Sequence, residues 1–390
     1  MDIRNILDRK MSKGLKSMLA MVFVMTISFS MSLTLTGCGK RVTKVDNVSA
    51  IMGTMVSQTV YANVTGFGAT ARGENVVDEI NQLLINLDST YSWRRDTAWL
   101  ARINAMAGAE EGYKLTSAQA EEFETLLNLC KQTDGAFDIS LGALTKLWNI
   151  DQKVAGVSGA EVPSEERIQQ VLLSCGFEQV KIICDDVSIE NTSSAPAVDD
   201  SNTNSDSFTD NANYSIYLPA GMSLDMGGVA KGIASNQVMD YLKSNQDVHG
   251  AVISLGGNII TYGDRGDGSS WNIGIVNPLN PETNIGYLTL KGEHMVITSG
   301  DYERFFEIDG QRFHHILDPK TGYPASSGLK SVTIWCQDGI VGDALSTACF
   351  VVGADRALEL AEQFDVEILM VTDEGEIIMS DGMKSVITRE

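Results

Sequence analysis

The chain is short of positive charge. Of its 390 residues, 29 are Lys or Arg and 51 are Asp or Glu, a formal net charge of −22. Phosphate backbones are held by basic patches, so this balance argues against a nucleic-acid partner. An acidic chain can still bind a phosphorylated small ligand through backbone N–H groups, one or two lysines, or a metal ion. Histidine is scarce as well: there are four, and two of them are adjacent, His314 and His315. The six cysteines stand at 38, 130, 175, 184, 336 and 349, far apart and irregularly spaced. With Cys38 set aside for the reason given below, an odd number remains. That speaks against a full disulfide framework, and no CxxC pair offers a metal site. Cys130, Cys336 and Cys349 lie among apolar residues and read as buried thiols, so no catalytic cysteine is expected. The P-loop pattern GxxxxGKS/T is missing, and no internal repeat is found.

What is present is ordinary for a folded domain. Apolar residues make up 43% and charged residues 21%, and the length is ample for a large core. The N-terminus is different in kind. Arg4, Arg9, Lys10, Lys13 and Lys16 form a basic region, and from Ser17 to Thr36 no residue is charged. This has the form of a secretory signal. It ends in LTGC, Leu35 to Cys38, which resembles the lipobox of bacterial lipoproteins, in which the chain is cut before the Cys and the thiol carries lipid. The competing explanation is an uncleaved membrane anchor with a chance Cys. Removal of residues 1–37 takes away five basic and two acidic side chains and leaves a charge of −25. Residues 38–50 are expected to be a tether, and 51–390 the functional domain.

Along that domain, VSQTVYANVTG alternates as a strand does. ENVVDEINQLLINLDSTYS carries apolar residues at 76, 77, 80, 83, 84 and 87, which is helical spacing. TSAQAEEFETLLNLCKQTDG and PSEERIQQVLLSCG are two further helices with caps at both ends. QVKIICDD and YSIYLPAG read as a strand pair. Between them, 187–213 is a Ser-, Asn-, Asp- and Thr-rich insertion that cannot bury a core and reads as disordered. The remainder mixes strands (AVISLGGNIITYG, WNIGIVNP, YLTLKG, MVITSG, KSVTIWCQ) with helices (AKGIASNQVMDYLKSN, DALSTACFVVG, ADRALELAEQF) and closes in a hairpin about Glu374-Gly375. There is no strict strand–helix alternation, which favours an α+β domain over a doubly wound sheet.

Four stretches could carry chemistry. SLDMGGVAKG passes from a strand end through Gly227-Gly228 into a helix bearing Lys231, an arrangement that suits a phosphate, although a Gly-rich turn with a solvated Lys has the same sequence. GAFDISLGALTKLWNI sets Asp138 in a turn, where it could equally cap the next helix. GDALSTA places Asp343 and Thr347 at i and i+4 on one helical face, where a carboxylate and a hydroxyl can meet a hard cation; alternatively Asp343 is a helix N-cap. TSGDYERFFEIDGQRFHHILDPKTGYPASSG, 298–328, holds half the histidines among small and turn-forming residues.

Taken together and in this order, these segments resemble the FAD:protein FMN transferases of the ApbE family. The matching stretches are MGT at 52–54, LDSTYS at 87–92, GAFDISLGALTKLW at 135–148, LDMGGVAKG at 224–232, SLGGNI at 254–259, WNIGIVNP at 271–278, the block 297–324 and SVTIWCQDGIVGDALSTACFVVG at 331–353, nearly all of the chain after residue 50. The resemblance implies a single large T-fold-related α+β domain with mixed and antiparallel sheets flanked by helices. It implies cleavage of FAD at its pyrophosphate, transfer of FMN to a Thr or Ser hydroxyl of a target protein, and release of AMP. Targets in the family are membrane flavoprotein subunits of Rnf-type and Na+-translocating NADH:quinone reductase-type complexes. Some relatives instead hydrolyse FAD to FMN and AMP, and a non-catalytic flavin-binding lipoprotein is a third alternative. Members are commonly bacterial lipoproteins, which agrees with Cys38 and places the domain on the extracytoplasmic face of a cell membrane.

Carried over by motif, the FAD contacts are Met52, Tyr91, Ala136, Phe137, Asp138, Asp225, Lys231 and Leu317. Mg2+ is held by Asp343, Thr347 and a backbone oxygen at Gly228, and His315 stands at the family's histidine position. Some relatives carry a hydroxyl residue where Gly228 stands and an acid where Ser346 stands, so the metal shell here is expected to be lighter. His315 suits a base that takes the acceptor hydroxyl's proton. His314 is expected to point the other way, as neighbours in an extended segment do.

Replacement of Cys38 by Ser is expected to release the protein from membranes or to leave an uncleaved precursor. Membrane fractionation together with mass spectrometry of the wild-type N-terminus checks this; an unlipidated Cys38 in the wild type would refute it.

Overall fold

The computed structural model describes residues 42–64, 69–184 and 213–389. The signal region, Cys38 and almost all of the 187–213 insertion lie outside the described residues. The chain begins with a hairpin, β1 (Val42–Ile51) and β2 (Thr54–Asn63), followed by α1 (Ala69–Tyr91), α2 (Trp99–Ala105), β3 (Tyr113–Leu115) and α3 (Ser117–Gln132). Next come α4 (Gly142–Trp148), α5 (Ile150–Val154), α6 (Glu165–Leu172), β4 (Lys181–Cys184) and β5 (Tyr214–Tyr217). The second half runs α7 (Ala230–Ser244), β6 (Val248–Leu255), β7 (Asn258–Gly263), β8 (Trp271–Val276), β9 (Asn284–Leu290), β10 (His294–Gly300), β11 (Phe305–Ile308) and β12 (Gln311–His314). It closes with β13 (Leu329–Cys336), α8 (Gly339–Val352), α9 (Ala354–Gln363), β14 (Glu367–Thr372), β15 (Ile377–Met379), α10 (Asp381–Val386) and β16 (Ile387–Arg389).

Eight strands form the central sheet in the order β1-β2-β6-β7-β10-β13-β14-β15, each pair antiparallel. Side chains alternate across it. Ile297, Ile368 and Met370 face the helices and join the main core with residues of α1, α7, α8 and α9. Their neighbours Val296, Leu369 and Val371 face the other way and pack with Trp271, Ile273 and Leu288 of the small sheet β16-β9-β8. The domain is thus three layers: helices, a large sheet and a small sheet. A third apolar cluster, built on Trp148, Ile168 and Phe313, joins α4 and α6 to the β11–β12 hairpin at the edge of the helical layer.

The α+β expectation and the β4–β5 pairing hold. The tether expected over 38–50 does not: Val42–Ile51 is strand β1, paired with β2 along its whole length. The turn that makes this pairing is Met52-Gly53, with φ of 54° and 70°, the left-handed pair of a tight hairpin. Val42 and Val45 are buried, while Val48 is half exposed, so the burial of its first half fixes a segment whose apolar residues are too irregular to read as a strand.

Where α7 crosses α8 the backbones meet. A Cβ on Gly232 would lie 2.3 Å from the Gly339 carbonyl oxygen, and one on Gly339 would lie 2.5 Å from that of Gly232. Asp338 caps α8, its Oδ1 accepting the N–H groups of Ile340 at 2.8 Å and Val341 at 3.1 Å. Replacement of Gly232 by Ala is expected to force the helices apart and cost about 1–3 kcal/mol. Gly159→Ala, with open space around it, is expected to stay within about 0.5 kcal/mol. Urea unfolding of the two variants checks the contrast.

Candidate active site

The α7–α8 crossing stands at the base of a cleft. Asp343, only 2% exposed, comes from the second turn of α8, and its Oδ2 accepts the Gly232 N–H at 2.8 Å. It therefore caps α7 from a neighbouring helix, since α7 has no side-chain cap of its own. Lys231 Nζ stands 3.8 Å from Asp343 Oδ1. Burial pushes the Asp343 carboxyl above its ordinary range, while Lys231 and the Gly232 N–H pull it back. Asp343 is thus a helix cap as well as a cleft residue, and the helix it caps is α7 rather than its own.

The turn before α7 supplies the next wall. Asp225 Oδ1 accepts the Gly227 N–H at 2.8 Å, which sets the Gly227-Gly228 bend. A Cβ on Gly228 would stand 3.5 Å from both the Phe137 ring and Thr347 Oγ1. The bare backbone at 228 is therefore brought against Thr347 and Phe137. Asp138 lies in the same wall. Its Oδ1 accepts the Ser140 N–H at 2.7 Å and its Oδ2 the Phe177 N–H at 3.2 Å, so it braces the loop before α4 instead of capping the helix. Burial raises its carboxyl, against those bonds.

The third wall is the segment with the paired histidines. β11 and β12 form a hairpin whose turn is Asp309-Gly310, both with positive φ. Phe305 pairs with His314, and one position further the Arg304 carbonyl accepts the His315 N–H at 3.1 Å. His314 turns inward: its Nε2 is 3.0 Å from the Ala325 carbonyl, its Nδ1 is 3.3 Å from the Ile316 N–H, and Phe350 meets the ring edge-on. Because Ile316 donates, Nδ1 accepts and the proton is on Nε2. His314 is a neutral, buried brace for the turn, and burial lowers its pKa. His315 faces the cleft. Burial holds its pKa well below the usual 6.5, and Arg304 and Lys231 push in the same direction. Its ring is neutral in the neutral range, and Nδ1 is buried with no partner among the described residues.

Ala136, Phe137, Asp138, Asp225, Gly228, Lys231, His315, Leu317, Asp343 and Thr347 therefore line one cleft. Two expected contacts do not. Tyr91 is buried in the core, its hydroxyl 2.7 Å from the Glu122 carboxylate and its ring edge-on to Trp99. It ends α1 and continues the inward stripe of Ile80, Leu84 and Leu87. Met52 sits in the β1–β2 turn against the core, away from the cleft lining. The aromatic residue of this stretch that reaches the cleft is Trp93, two residues beyond the helix, with the Arg94 guanidinium 4.4 Å and Lys146 Nζ 5.3 Å from its ring. Trp148, Asp151, Glu303 and Arg304 also line it; the motifs assigned none of them a role, although Trp148, Glu303 and Arg304 lie within matching stretches. Glu303 opens onto the cleft yet is ringed by protein, which raises its carboxyl while Lys231 and Arg304 lower it. Ser346 is fully buried with its hydroxyl 2.8 Å from that of Ser299.

Comparisons with known proteins place the chain among its relatives. The chain is 32% identical over 358 residues to the FAD:protein FMN transferase of Treponema pallidum (strain Nichols), covering 89% of this chain and 90% of that protein. It is 35% identical over 254 residues to the FAD:protein FMN transferase of Klebsiella pneumoniae (strain 342), covering 64% of this chain and 68% of that one. Among solved structures, the ApbE protein of Thermotoga maritima superposes with a TM-score of 0.71 at 27% identity, covering 89% of this chain and all of its own. The profile of the ApbE family matches residues 52–370, from the β1–β2 turn through most of β14, and the chain belongs to that family.

Proposed function

We propose that the cleft binds FAD and passes its FMN half to a Thr or Ser hydroxyl of a second protein, with AMP as the leaving group. The observation that carries this is the meeting of a neutral, unpartnered imidazole with a phosphate cradle in one cleft: His315 opposite Lys231, Gly227-Gly228 and the N-terminus of α7. A glycine bend at a helix start, where bare backbone can be approached closely, and a lysine charge favour a pyrophosphate. Phosphoryl transfer asks mostly for charge neutralisation and in-line placement. The acceptor oxygen attacks the FMN phosphorus, the bond from that phosphorus to the AMP oxygen breaks, and the hydroxyl proton passes to His315. A neutral imidazole with no internal partner is ready to take it. Trp93 and Phe137 offer ring faces to the flavin or the adenine.

Among the described residues no three His, Cys, Asp or Glu side chains gather to hold a metal. Asp343, Thr347 and Gly228 nevertheless bring a carboxylate, a hydroxyl and a backbone segment to the same cleft, which fits Mg2+ bound by few protein ligands with phosphate oxygens completing its shell. When bound, the ion would neutralise charge on the pyrophosphate. The finer readings rest on the sequence. We take Cys38 as the lipid-bearing anchor, the extracytoplasmic membrane face as the location, and membrane subunits of Rnf-type or Na+-translocating NADH:quinone reductase-type complexes as acceptors. Incubation with FAD, Mg2+ and such a subunit tests the function: covalent flavin on the subunit is expected, whereas free FMN alone would indicate hydrolysis.

His315→Asn is expected to slow transfer by roughly 10²–10⁴ while FAD binding changes little. Because its pKa is depressed, the acid limb of wild-type kcat/KM is expected below pH 6.5; protonation there removes the base, so the rate falls as pH falls. Single-turnover transfer and a pH profile check both. Asp343→Ala is expected to abolish activity with poor rescue by excess Mg2+, and EDTA is expected to stop the wild type. Activity unchanged in EDTA would rule the metal out.

A further inference from the structure

The hairpin that carries His315 is fastened to the cleft from outside, through α5. Asp151, in the first turn of α5, receives two guanidinium groups: its Oδ1 accepts from Arg304 at 3.1 Å and its Oδ2 accepts from Arg94. All three residues line the cleft. They come from the loop after α1, the start of α5 and the residue before β11, so one carboxylate joins three distant stretches of chain. Two positions along α5, Lys153 Nζ stands 4.9 Å from the Phe306 ring centroid. α5 thus holds the hairpin at 304 and again at 306.

The hairpin register carries this grip to the imidazole. Phe305 pairs with His314, and the Arg304 carbonyl accepts the His315 N–H, so Arg304 and His315 are consecutive with that pair across the ladder. A displacement of the Arg304 backbone displaces His315 with it. The ion pairs contribute little to stability, since the Arg304 and Asp151 side chains are 42% and 32% exposed. Geometry at a reacting centre is more sensitive: an error of about 1 Å can cost on the order of 10²-fold in rate.

We infer that Asp151 is a positioning residue, acting on the transfer step through Arg304 and the His315 backbone. The inference rests on the reading of His315 as the base. The structure gives Asp151 no direct role toward substrate phosphates, because a carboxylate repels them and both of its oxygens are engaged by arginines. Its removal should therefore show in the chemical step and scarcely in substrate binding.

The test uses the full chain carrying Asp151→Ala or Asp151→Asn, each also combined with His315→Asn. FAD binding is titrated, and single-turnover transfer is measured on a purified acceptor subunit of the Na+-translocating NADH:quinone reductase type. In the otherwise wild-type chain, Asp151→Ala is expected to lower transfer about ten-fold or more, with the FAD Kd within about two-fold and an unfolding midpoint close to wild type. Asp151→Asn, which keeps an oxygen acceptor but loses the charge, is expected to fall between the two. In the His315→Asn background, Asp151→Ala is expected to add less than about two-fold, because a residue that acts through the imidazole has nothing left to position. Normal transfer by Asp151→Ala, or the same loss in both backgrounds, would overturn the assignment. A wild type that transfers normally beside an unimpaired Asp151→Ala overturns only the role of Asp151. A wild type that forms no covalent flavin overturns the transfer reading and this inference with it.

Discussion

The backbone contact between Gly232 and Gly339 is the constraint on which the site depends. Two helices can approach this closely only where neither carries a side chain. The approach brings the first turn of α7 onto the flank of α8, and Asp343 closes the gap by accepting the Gly232 N–H. A carboxylate so thoroughly removed from water would be costly without partners. Here it has a main-chain donor, a helix N-terminus and Lys231. The same geometry leaves Lys231 and Thr347 at the cleft, with the Gly-rich bend beside them. Packing and the proposed phosphate recognition thus draw on one set of atoms.

The remaining walls attach to that base by different means. The Asp138 loop is held by two main-chain N–H groups, from Ser140 and Phe177. The histidine hairpin is held from behind by His314, which bonds the Ala325 carbonyl and packs on Phe350 of α8. Adjacent histidines of equal chemistry therefore have opposite roles. One is a buried strut and the other faces the cleft, where we propose it acts as the base, and the alternation of an extended segment separates them.

Much of this was legible in the sequence. The class of fold follows from strands and helices in no fixed alternation, and the i, i+4 spacing of Asp343 and Thr347 does place both at the cleft. Tyr91 was misplaced because a motif shows which residues travel together and not which side of a helix end they fall on; it lies on the buried stripe of α1, and Trp93 lies past it. β1 was missed because a strand at a sheet edge needs only a few inward apolar residues, and Val42 and Val45 do not make a recognisable pattern by themselves. Asp151 lies outside the matching stretches, and Arg304, though inside the block 297–324, carries no local signal of its own. Their meeting is a property of the tertiary fold, 153 residues apart in the chain.

The edge strand also has a consequence for reach. Because β1 begins at Val42, only four peptide steps separate Cys38 from the folded sheet. A chain that short spans at most about 14 Å even when fully extended. With Cys38 carrying lipid, as proposed, the domain is a sentry on a short leash rather than a float on a long line. Its encounters are then confined to a layer no deeper than the tether plus the domain itself, and an acceptor hydroxyl has to be presented within about one domain's height of the membrane.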